Sequence, residues 1–290
     1  MLESSLEFFR CVRCGSKLEL DVFKLDREIE EGLLECKKCN LIFPILQKIP
    51  ILWDDFSDYL SNHKVLSGIL YKSITSESLR KFVKYSLSKT DKFNNDSTIT
   101  EKRWSLIYQN SRCSKFYSHI KNNLDFITHS NFVLEHGCSI GIMTSWLSDS
   151  HQMVFGIDRS FDALLYAKKS YKHNLDYAVA DSLSDVFGKF QFDLILALNV
   201  LELIEPTLFL KQTSAQITSG YLVITDPYDF DRGVSSVKTS FDEFTLRTNL
   251  EYAGFKILPK TSKPSFIPWN LKVNPRATLN YKVDLVIGKK

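Results

Sequence analysis

The sequence predicts an α/β protein: a doubly wound, mostly parallel sheet of seven strands, preceded by a small cysteine-bearing domain and a helical middle segment. Two observations predict it. From Asn131 onward, short apolar runs alternate with helical stretches, the pattern of repeated βα units whose strands are covered on both faces. Before residue 54, four cysteines fall into two Cys-x-x-Cys pairs. The expected segments are 1–53, 54–130 and 131–290.

The chain has 290 residues, 44% of them hydrophobic and 24% charged, an ordinary balance for a globular protein. That length suits one large domain plus a small one. There is no apolar run of about 18 residues, so no membrane span is expected. The opening MLESSLEFFRCVRC has no basic stretch followed by an apolar one, so no secretion signal is expected. Both points favour the cytoplasm, where thiols stay reduced. The formal charge of +3 is not the strong basic surplus of an obligate nucleic-acid binder. Residues 1–53 carry 8 Lys/Arg against 9 Asp/Glu, whereas residues 241–290 carry 9 against 4. The basic tail either attracts an anionic substrate or is a solvated face, the commoner case.

The first pair is Cys11-Val-Arg-Cys14 and the second Cys36-Lys-Lys-Cys39, with 21 residues between them. Each turn aims two sulfurs at one point, and two such turns make the tetrahedral S4 site that zinc prefers. Two disulfides or four free thiols are the alternatives, which a reducing compartment disfavours. With all four positions filled by Cys11, Cys14, Cys36 and Cys39, no position stays open for a catalytic water, so the expected Zn2+ is structural. A domain of some 50 residues has little core, and ligation compensates. Leu33-Leu-Glu-Cys36-Lys-Lys-Cys39, followed by Phe43-Pro-Ile45 and Ile49-Pro-Ile-Leu52, resembles the zinc-ribbon family of methyltransferase activator subunits over roughly residues 6–53. Lys48 stands where that family often has Gly. The resemblance implies a ribbon that elsewhere partners methyltransferases acting on RNA or protein, here fused in cis.

The middle segment has helical spacing and no chemical motif. Leu66, Ile69 and Leu70 share one face, as do Trp104, Ile107, Tyr108 and Ser111. Asp91 to Thr98 is polar and turn-rich, which predicts a loop. A helix is expected from Thr100 to about Asn122, with Phe116, Tyr117 and His119 serving either as core or as a lid.

Five strands are expected in the C-terminal segment: Phe132–Glu135, Met153–Asp158, Tyr177–Asp181, Phe192–Leu198 and Tyr221–Asp226. A helix is expected at Phe161–Lys172. Ligands of such sheets bind at the carboxyl ends of the strands. Strand one runs into Glu135-His-Gly137-Cys-Ser-Ile-Gly141, where glycines let the backbone approach a ligand. Strand two ends in Asp158, 23 residues beyond Glu135, where a carboxylate can accept from both ribose hydroxyls. Strand three ends in Asp181-Ser182, placed to meet an adenine amino group. The glycines stand four apart rather than as the GxGxxG of dinucleotide folds, so the ligand need not carry a pyrophosphate.

Val133-Leu-Glu-His-Gly-Cys-Ser-Ile-Gly141, Gly156-Ile-Asp-Arg-Ser160 and Asn199-Val-Leu-Glu202 with Pro206 are similar to motifs of class I S-adenosylmethionine-dependent methyltransferases, over about residues 131–230. The resemblance implies a Rossmann-like sheet with S-adenosyl-L-methionine as cofactor. It also implies cofactor contacts from Glu135, Gly137, Ser139, Gly141, Asp158, Arg159, Asp181, Ser182 and Asn199. Ser139 replaces the family's usual middle Gly and is expected to fit if its φ is negative. His136, beside that loop, is expected to pack rather than act as a base. Candidate catalytic groups are Asp226 and Tyr228, at the end of strand five, and Asn199 as an orienting hydrogen-bond group. The tail, Phe266-Ile-Pro-Trp269-Asn-Leu271 with Arg276 and Tyr281, resembles the methyltransferase domain linked to 4-mercaptohistidine methylation. That likeness implies a small polar metabolite, with Arg276 either pairing with its carboxylate or lying on the surface.

The expected function is therefore methyl transfer to a small-molecule acceptor. An RNA methyltransferase remains open, because ribbon-plus-methyltransferase layouts also occur among ribosomal RNA guanine methyltransferases. The modest charge and the lack of an aromatic-basic RNA motif disfavour a nucleic-acid partner. A degenerate methyltransferase serving as a binding module rests on Ser139 alone. No membrane partner is expected, and the sequence sets no oligomeric state.

Overall fold

The computed structural model describes residues 1–90, 96–127, 130–233 and 236–290. The chain begins with strands β1 (Glu19–Leu25), β2 (Ile29–Cys36), β3 (Leu41–Leu46) and β4 (Ile49–Pro50). Helices α1 (Phe56–Ser61), α2 (Lys64–Ser73), α3 (Glu77–Ser88), α4 (Ser97–Asn110) and α5 (Lys115–Leu124) follow. Then come β5 (Phe132–His136), α6 (Ile142–Leu147), β6 (Met153–Asp158), α7 (Phe161–Ala167), β7 (Leu175–Val179) and β8 (Leu194–Leu198). The chain ends with α8 (Pro206–Ala215), β9 (Tyr221–Asp226), α9 (Glu243–Tyr252), β10 (Lys256–Ile257), β11 (Ile267–Asn274) and β12 (Ala277–Lys289). Two compact units divide it: Met1–Ser105 with Asp158–Gly188, and Leu106–Ile157 with Lys189–Lys290. These units cut across the segments expected from sequence, because residues 54–105 and 158–188 pack with the cysteine-bearing strands.

In the first unit β1 to β4 form an antiparallel meander. The turn from β3 to β4 passes through Gln47 and Lys48 at φ 49° and 72°. A two-residue hairpin of this hand needs left-handed backbone at both positions, which explains why a Gly would suit position 48. Beyond β4, Ile51 makes a parallel bridge with Val179 of β7, and Leu52 N donates to Val179 O at 2.8 Å. Arg10 N donates to Val186 O at 2.8 Å, and the rings of Phe9 and Phe187 lie 5.7 Å apart.

A buried charge cluster fastens the same junction. Lys168 pairs with Glu28 and lies 2.7 Å from Asp176, and all three are at most 6% exposed. Asp176 also accepts from Leu2 N at 2.8 Å. Burial works against the charge on Lys168, but Asp176 and Glu28 outweigh it and hold its pKa above the usual lysine value. Burial likewise opposes ionisation of Asp176, and Lys168 reverses that and holds it low.

Glu31 of β2 binds the entrance to α3. Its carboxylate accepts from Thr75 N at 2.7 Å and Ser76 N at 2.8 Å, satisfying amides that precede the first helical turn. Leu66 and Leu70 of α2 are buried, but Ile69 is 48% exposed, so the apolar face expected there is narrower. Of the loop expected at Asp91–Thr98, residues 91–95 lie outside the described residues, and Ser97 already begins α4. The single helix expected from Thr100 to Asn122 is two. A turn at 111–114 separates them, and Ser114 Oγ caps α5 by accepting from Phe116 N at 3.4 Å.

In the second unit the strand order is β10-β12-β9-β8-β5-β6. β6, β5, β8 and β9 run parallel, and β12 runs antiparallel to β9. Val133, Leu134 and Leu194 to Ala197 are fully buried, as strands covered on both faces require. The chain leaves β5 toward β6 on one side and later returns through β8 and β9 on the other. That reversal is a topological switch point, and the loops after β5, β8 and β9 lie at it. The expected recognition tail is a hairpin of β11 and β12. In it Trp269 is 2% exposed, and Arg276 sits exposed in the turn between the strands.

Candidate functional site

The four cysteines come together as their spacing requires. The Sγ atoms of Cys11, Cys14, Cys36 and Cys39 all lie within 4.8 Å of one another. Each Cys-x-x-Cys turn closes in left-handed backbone, at Gly15 (φ 67°) and Asn40 (φ 55°), with Gly15 N donating to Cys11 O and Asn40 N to Cys36 O, both at 2.8 Å. All four are free thiols. A tetrahedron with Zn–S of about 2.3 Å has S–S edges of about 3.8 Å, so the cluster fits zinc and leaves no ligand position open.

Also in the first unit, Ala180 N donates to Asp158 O at 3.1 Å, which sets the ends of β6 and β7 side by side. Asp158 Oδ1 accepts from Ser160 N at 2.8 Å, and Ser160 Oγ caps α7 by accepting from Ala163 N at 3.2 Å. Asp181 Oδ1 accepts from Leu183 N at 2.8 Å, while Oδ2 lies 3.9 Å from Arg159 Nε. One oxygen of each carboxylate is thus spent on shaping its own turn. Ser182 is buried.

In the second unit the loop after β5 has Gly137, Ser139 and Gly141 at φ 63°, 49° and 75°. A Cβ on Gly137 would stand 2.5 Å from Val200 Cγ2, so only glycine lets the β5 and β8 loops approach this closely. Ser139 does not take the negative φ expected of it. It occupies the left-handed region that glycine prefers, at a cost of about 1–2 kcal/mol. The loop therefore keeps the shape a glycine would give. Glu135 is buried. His136 is buried too, and neither ring nitrogen has a hydrogen-bond partner among the described residues. Burial lowers its pKa to about 3, and it packs edge-on against Phe209 at 5.0 Å, as a neutral core residue.

The same strained backbone recurs at the next two strand ends, Asn199 (φ 57°) and Tyr228 (φ 57°). Such strain concentrates at functional sites. Asn199 N donates to Thr225 O at 2.8 Å, and its Oδ1 accepts from Thr225 Oγ1 at 2.9 Å. Its amide Nδ2 donates to none of the described residues. Asp226 is fully buried and accepts from Tyr228 N at 2.6 Å and Glu202 N at 3.1 Å. Burial pushes its pKa up to about 7. The Tyr228 hydroxyl donates to Asp284 Oδ2 at 2.9 Å. Burial and the Asp284 charge raise its pKa far above the phenol range, so it acts as a donor and not as a base.

Residues 133–217 match the family described as a methyltransferase domain, and residues 5–47 match the Trm112p-like proteins. The chain carries a methyltransferase domain behind a Trm112p-like zinc ribbon. It is a methyltransferase by that domain, and the four-cysteine cluster of its ribbon suits a structural zinc. No curated protein matches the chain. Among solved structures, a chain of the complex built around the Haloferax volcanii Trm112 methyltransferase activator is 13% identical, with a TM-score of 0.51, over 67% of this chain and 96% of that one. Magnesium protoporphyrin IX methyltransferase from Synechocystis PCC 6803 is 15% identical, with a TM-score of 0.47, over 67% of this chain and 95% of that one.

In the first unit the carboxylates of Asp158 and Asp181 suit the ribose hydroxyls and exocyclic amine of S-adenosylmethionine. In the second unit a glycine-lined left-handed loop suits close backbone approach to a ligand. The methyltransferase domain also holds a cluster that sequence reasoning missed. Glu202 is fully buried and pairs with Arg232. Burial, opposed by Arg232 and helped by Asp226 and Asp229, pushes its pKa up to about 8. The Arg232 guanidinium stands 6.0 Å over the Tyr281 ring, and the Tyr281 hydroxyl donates to Asp229 Oδ2 at 3.0 Å. Trp269 lies 5.4 Å from Tyr281, 5.8 Å from Phe116 and 6.3 Å from Tyr108, the last stacked. Glu202 was visible inside the Asn199-Val-Leu-Glu202 motif, but nothing in the sequence pairs it with Arg232.

Proposed function

We propose that this chain methylates a small polar metabolite, held by the aromatic and carboxylate cluster of the second unit. The charge arrangement there carries the reading. Four carboxylates (Glu202, Asp226, Asp229 and Asp284) accompany two cations, and each cation is already paired: Arg232 with Glu202 and Arg247 with Asp284 at 2.6 Å. A polyanion needs cations for its phosphates, whereas carboxylates beside aromatic faces suit an amine or another polar group. Trp269 adds a buried indole N–H with no hydrogen-bond partner among the described residues. Arg232, and not the exposed Arg276, is the guanidinium beside these rings. Ser139 keeps a glycine-like φ, which removes the one argument for a degenerate domain.

The cofactor supplies an activated methyl group on a sulfonium. The protein holds the acceptor's lone pair in line with that methyl and excludes water. Asp158 and Asp181 serve the nucleoside, with Arg159 and Ser182 beside them. Asn199 orients a reacting group through its open Nδ2. Asp226 and Tyr228 hold the β8 and β9 loops in their strained form.

The test is methyl transfer from isotopically labelled S-adenosylmethionine to cell extract split into metabolite, RNA and protein fractions. Label in the metabolite fraction, little affected between about 50 and 200 mM salt, is expected. Label in RNA that collapses across that salt range would overturn the small-molecule assignment.

A further inference from the structure

We infer that Trp53, delivered by the end of the zinc ribbon, forms a wall of the adenine site, so that the ribbon is part of the cofactor-binding machinery. The inference rests on the nucleoside reading of Asp158 and Asp181 above. Its basis is backbone register within the first unit. Ile51 bridges Val179 in parallel, and Leu52 N donates to Val179 O at 2.8 Å. Two residues further along both segments, Trp53 comes abreast of Asp181.

The side chains converge on that spot. The Arg159 guanidinium lies 5.5 Å over the Trp53 ring, and Arg159 Nε lies 3.9 Å from Asp181 Oδ2. The Tyr59 ring sits 5.4 Å from Trp53, and its hydroxyl donates to Arg159 O at 3.2 Å. Tyr59 is 1% exposed and acts as the backing. Trp53 is half-buried, and its indole N–H donates to none of the described residues. The Arg159 side chain is 58% exposed. A half-buried indole, a planar guanidinium and a carboxylate oxygen thus stand together beside the end of β7.

That set recognises a flat base with an exocyclic amine, attached to a diol. Stacking on the indole or guanidinium serves the π-face, Asp181 accepts from the amine, and Asp158 accepts from the diol. An adenine nucleoside meets all three demands.

Calorimetric titration of the full-length, zinc-loaded protein with S-adenosylhomocysteine tests this. Trp53→Ala should weaken binding about 5- to 150-fold, the range for losing one base–aromatic stack, with zinc content unchanged. Trp53→Phe should recover most of the affinity. In the wild type the ligand should change tryptophan emission, and Trp53→Phe should abolish that change. The emission experiment stands even if Trp53→Ala fails to fold. Wild-type affinity in Trp53→Ala, with affinity lost in Asp158→Ala, would overturn the role of Trp53 and leave the nucleoside reading intact. Unchanged affinity in both would remove the nucleoside reading as well.

Discussion

Replacing Lys168 with Met removes the cation that joins Glu28 to Asp176, and keeps most of the aliphatic stem. Glu28 and Asp176 are 2% and 0% exposed, so water cannot take over from the missing ammonium. Asp176 keeps the bond from Leu2 N at 2.8 Å, and the amino group of Met1 stands 3.9 Å from Glu28. Neither neutralises both carboxylates as the Lys168 ammonium does. Breaking a buried pair by removing one partner costs about 3–5 kcal/mol, because the remaining charge stays buried. At about 2–4 °C per kcal/mol for a unit of this size, Tm should fall by about 6–20 °C at pH 7. The pH dependence follows from the pKa directions. Asp176 is held low in the fold, so its contribution is present above the unfolded carboxylate value of about 3.9 and is lost as pH falls through the lower folded value. Lys168 is held high, so its contribution is present below about 10.4 and is lost as pH rises through the higher folded value. In the variant the two carboxylates prefer to be protonated, so the gap from wild type should shrink as pH drops toward 5. Thermal melts followed by far-UV circular dichroism read both effects. A Tm within about 2 °C of wild type at pH 7 would refute the reasoning.

Three other perturbations have defined outcomes. Cys36→Ser should cut bound zinc, read by elemental analysis at about one ion per wild-type chain, and should lower Tm rather than abolish chemistry at a distance. Asp158→Ala should weaken S-adenosylhomocysteine binding by about 1.5–3 kcal/mol, the range for hydrogen bonds to a charged group, and calorimetry showing no change would remove Asp158 from the site. Glu202 holds its proton up to about pH 8 in the fold but only to about 4.3 when unfolded, so its ionisation destabilises the native state as pH rises between those values. Glu202→Gln should flatten the fall of Tm across pH 5–8, and a wild-type slope would count against the buried, proton-holding carboxylate.

Much of this was readable because burial and ligation leave periodic traces. Met153–Asp158 and Tyr221–Asp226 are strands with the very bounds expected, since a strand covered on both faces is a continuous apolar run bounded by turn residues. The cysteine pairs assembled because ligand geometry fixes spacing. The break between α4 and α5 was hidden because residues 111–114 carry neither Gly nor Pro, the usual marks of a turn. Ile267, Trp269 and Leu271 alternate with Pro268, Asn270 and Lys272 in the buried-exposed rhythm of β11. The sequence carried that strand signal, which a motif reading of the same residues obscured. Left-handed backbone at Ser139, Asn199 and Tyr228 leaves no compositional mark, because three-dimensional context imposes it. The pairing of Glu202 with Arg232 spans 30 residues and depends on two loops meeting at successive strand ends.

Covalent fusion of the ribbon changes what its interface must achieve. A separate ribbon would have to offset about 4–15 kcal/mol of lost translational and rotational freedom on docking, whereas a tethered one closes a loop at far lower cost. The junction nevertheless carries the features of a permanent interface. It has a backbone bridge at Ile51 and Val179, a ring contact between Phe9 and Phe187, and the sealed charges of Glu28, Lys168 and Asp176. Sealed charges suit a contact that rarely opens, because opening and closing would each time rehydrate and strip three ions. The ribbon is thereby a fixed wall of the first unit. A fixed wall can hold Trp53 beside Asp181 with the precision that a ligand-binding aromatic needs, which a ribbon exchanging on and off its partner would supply only for the fraction of time it was bound.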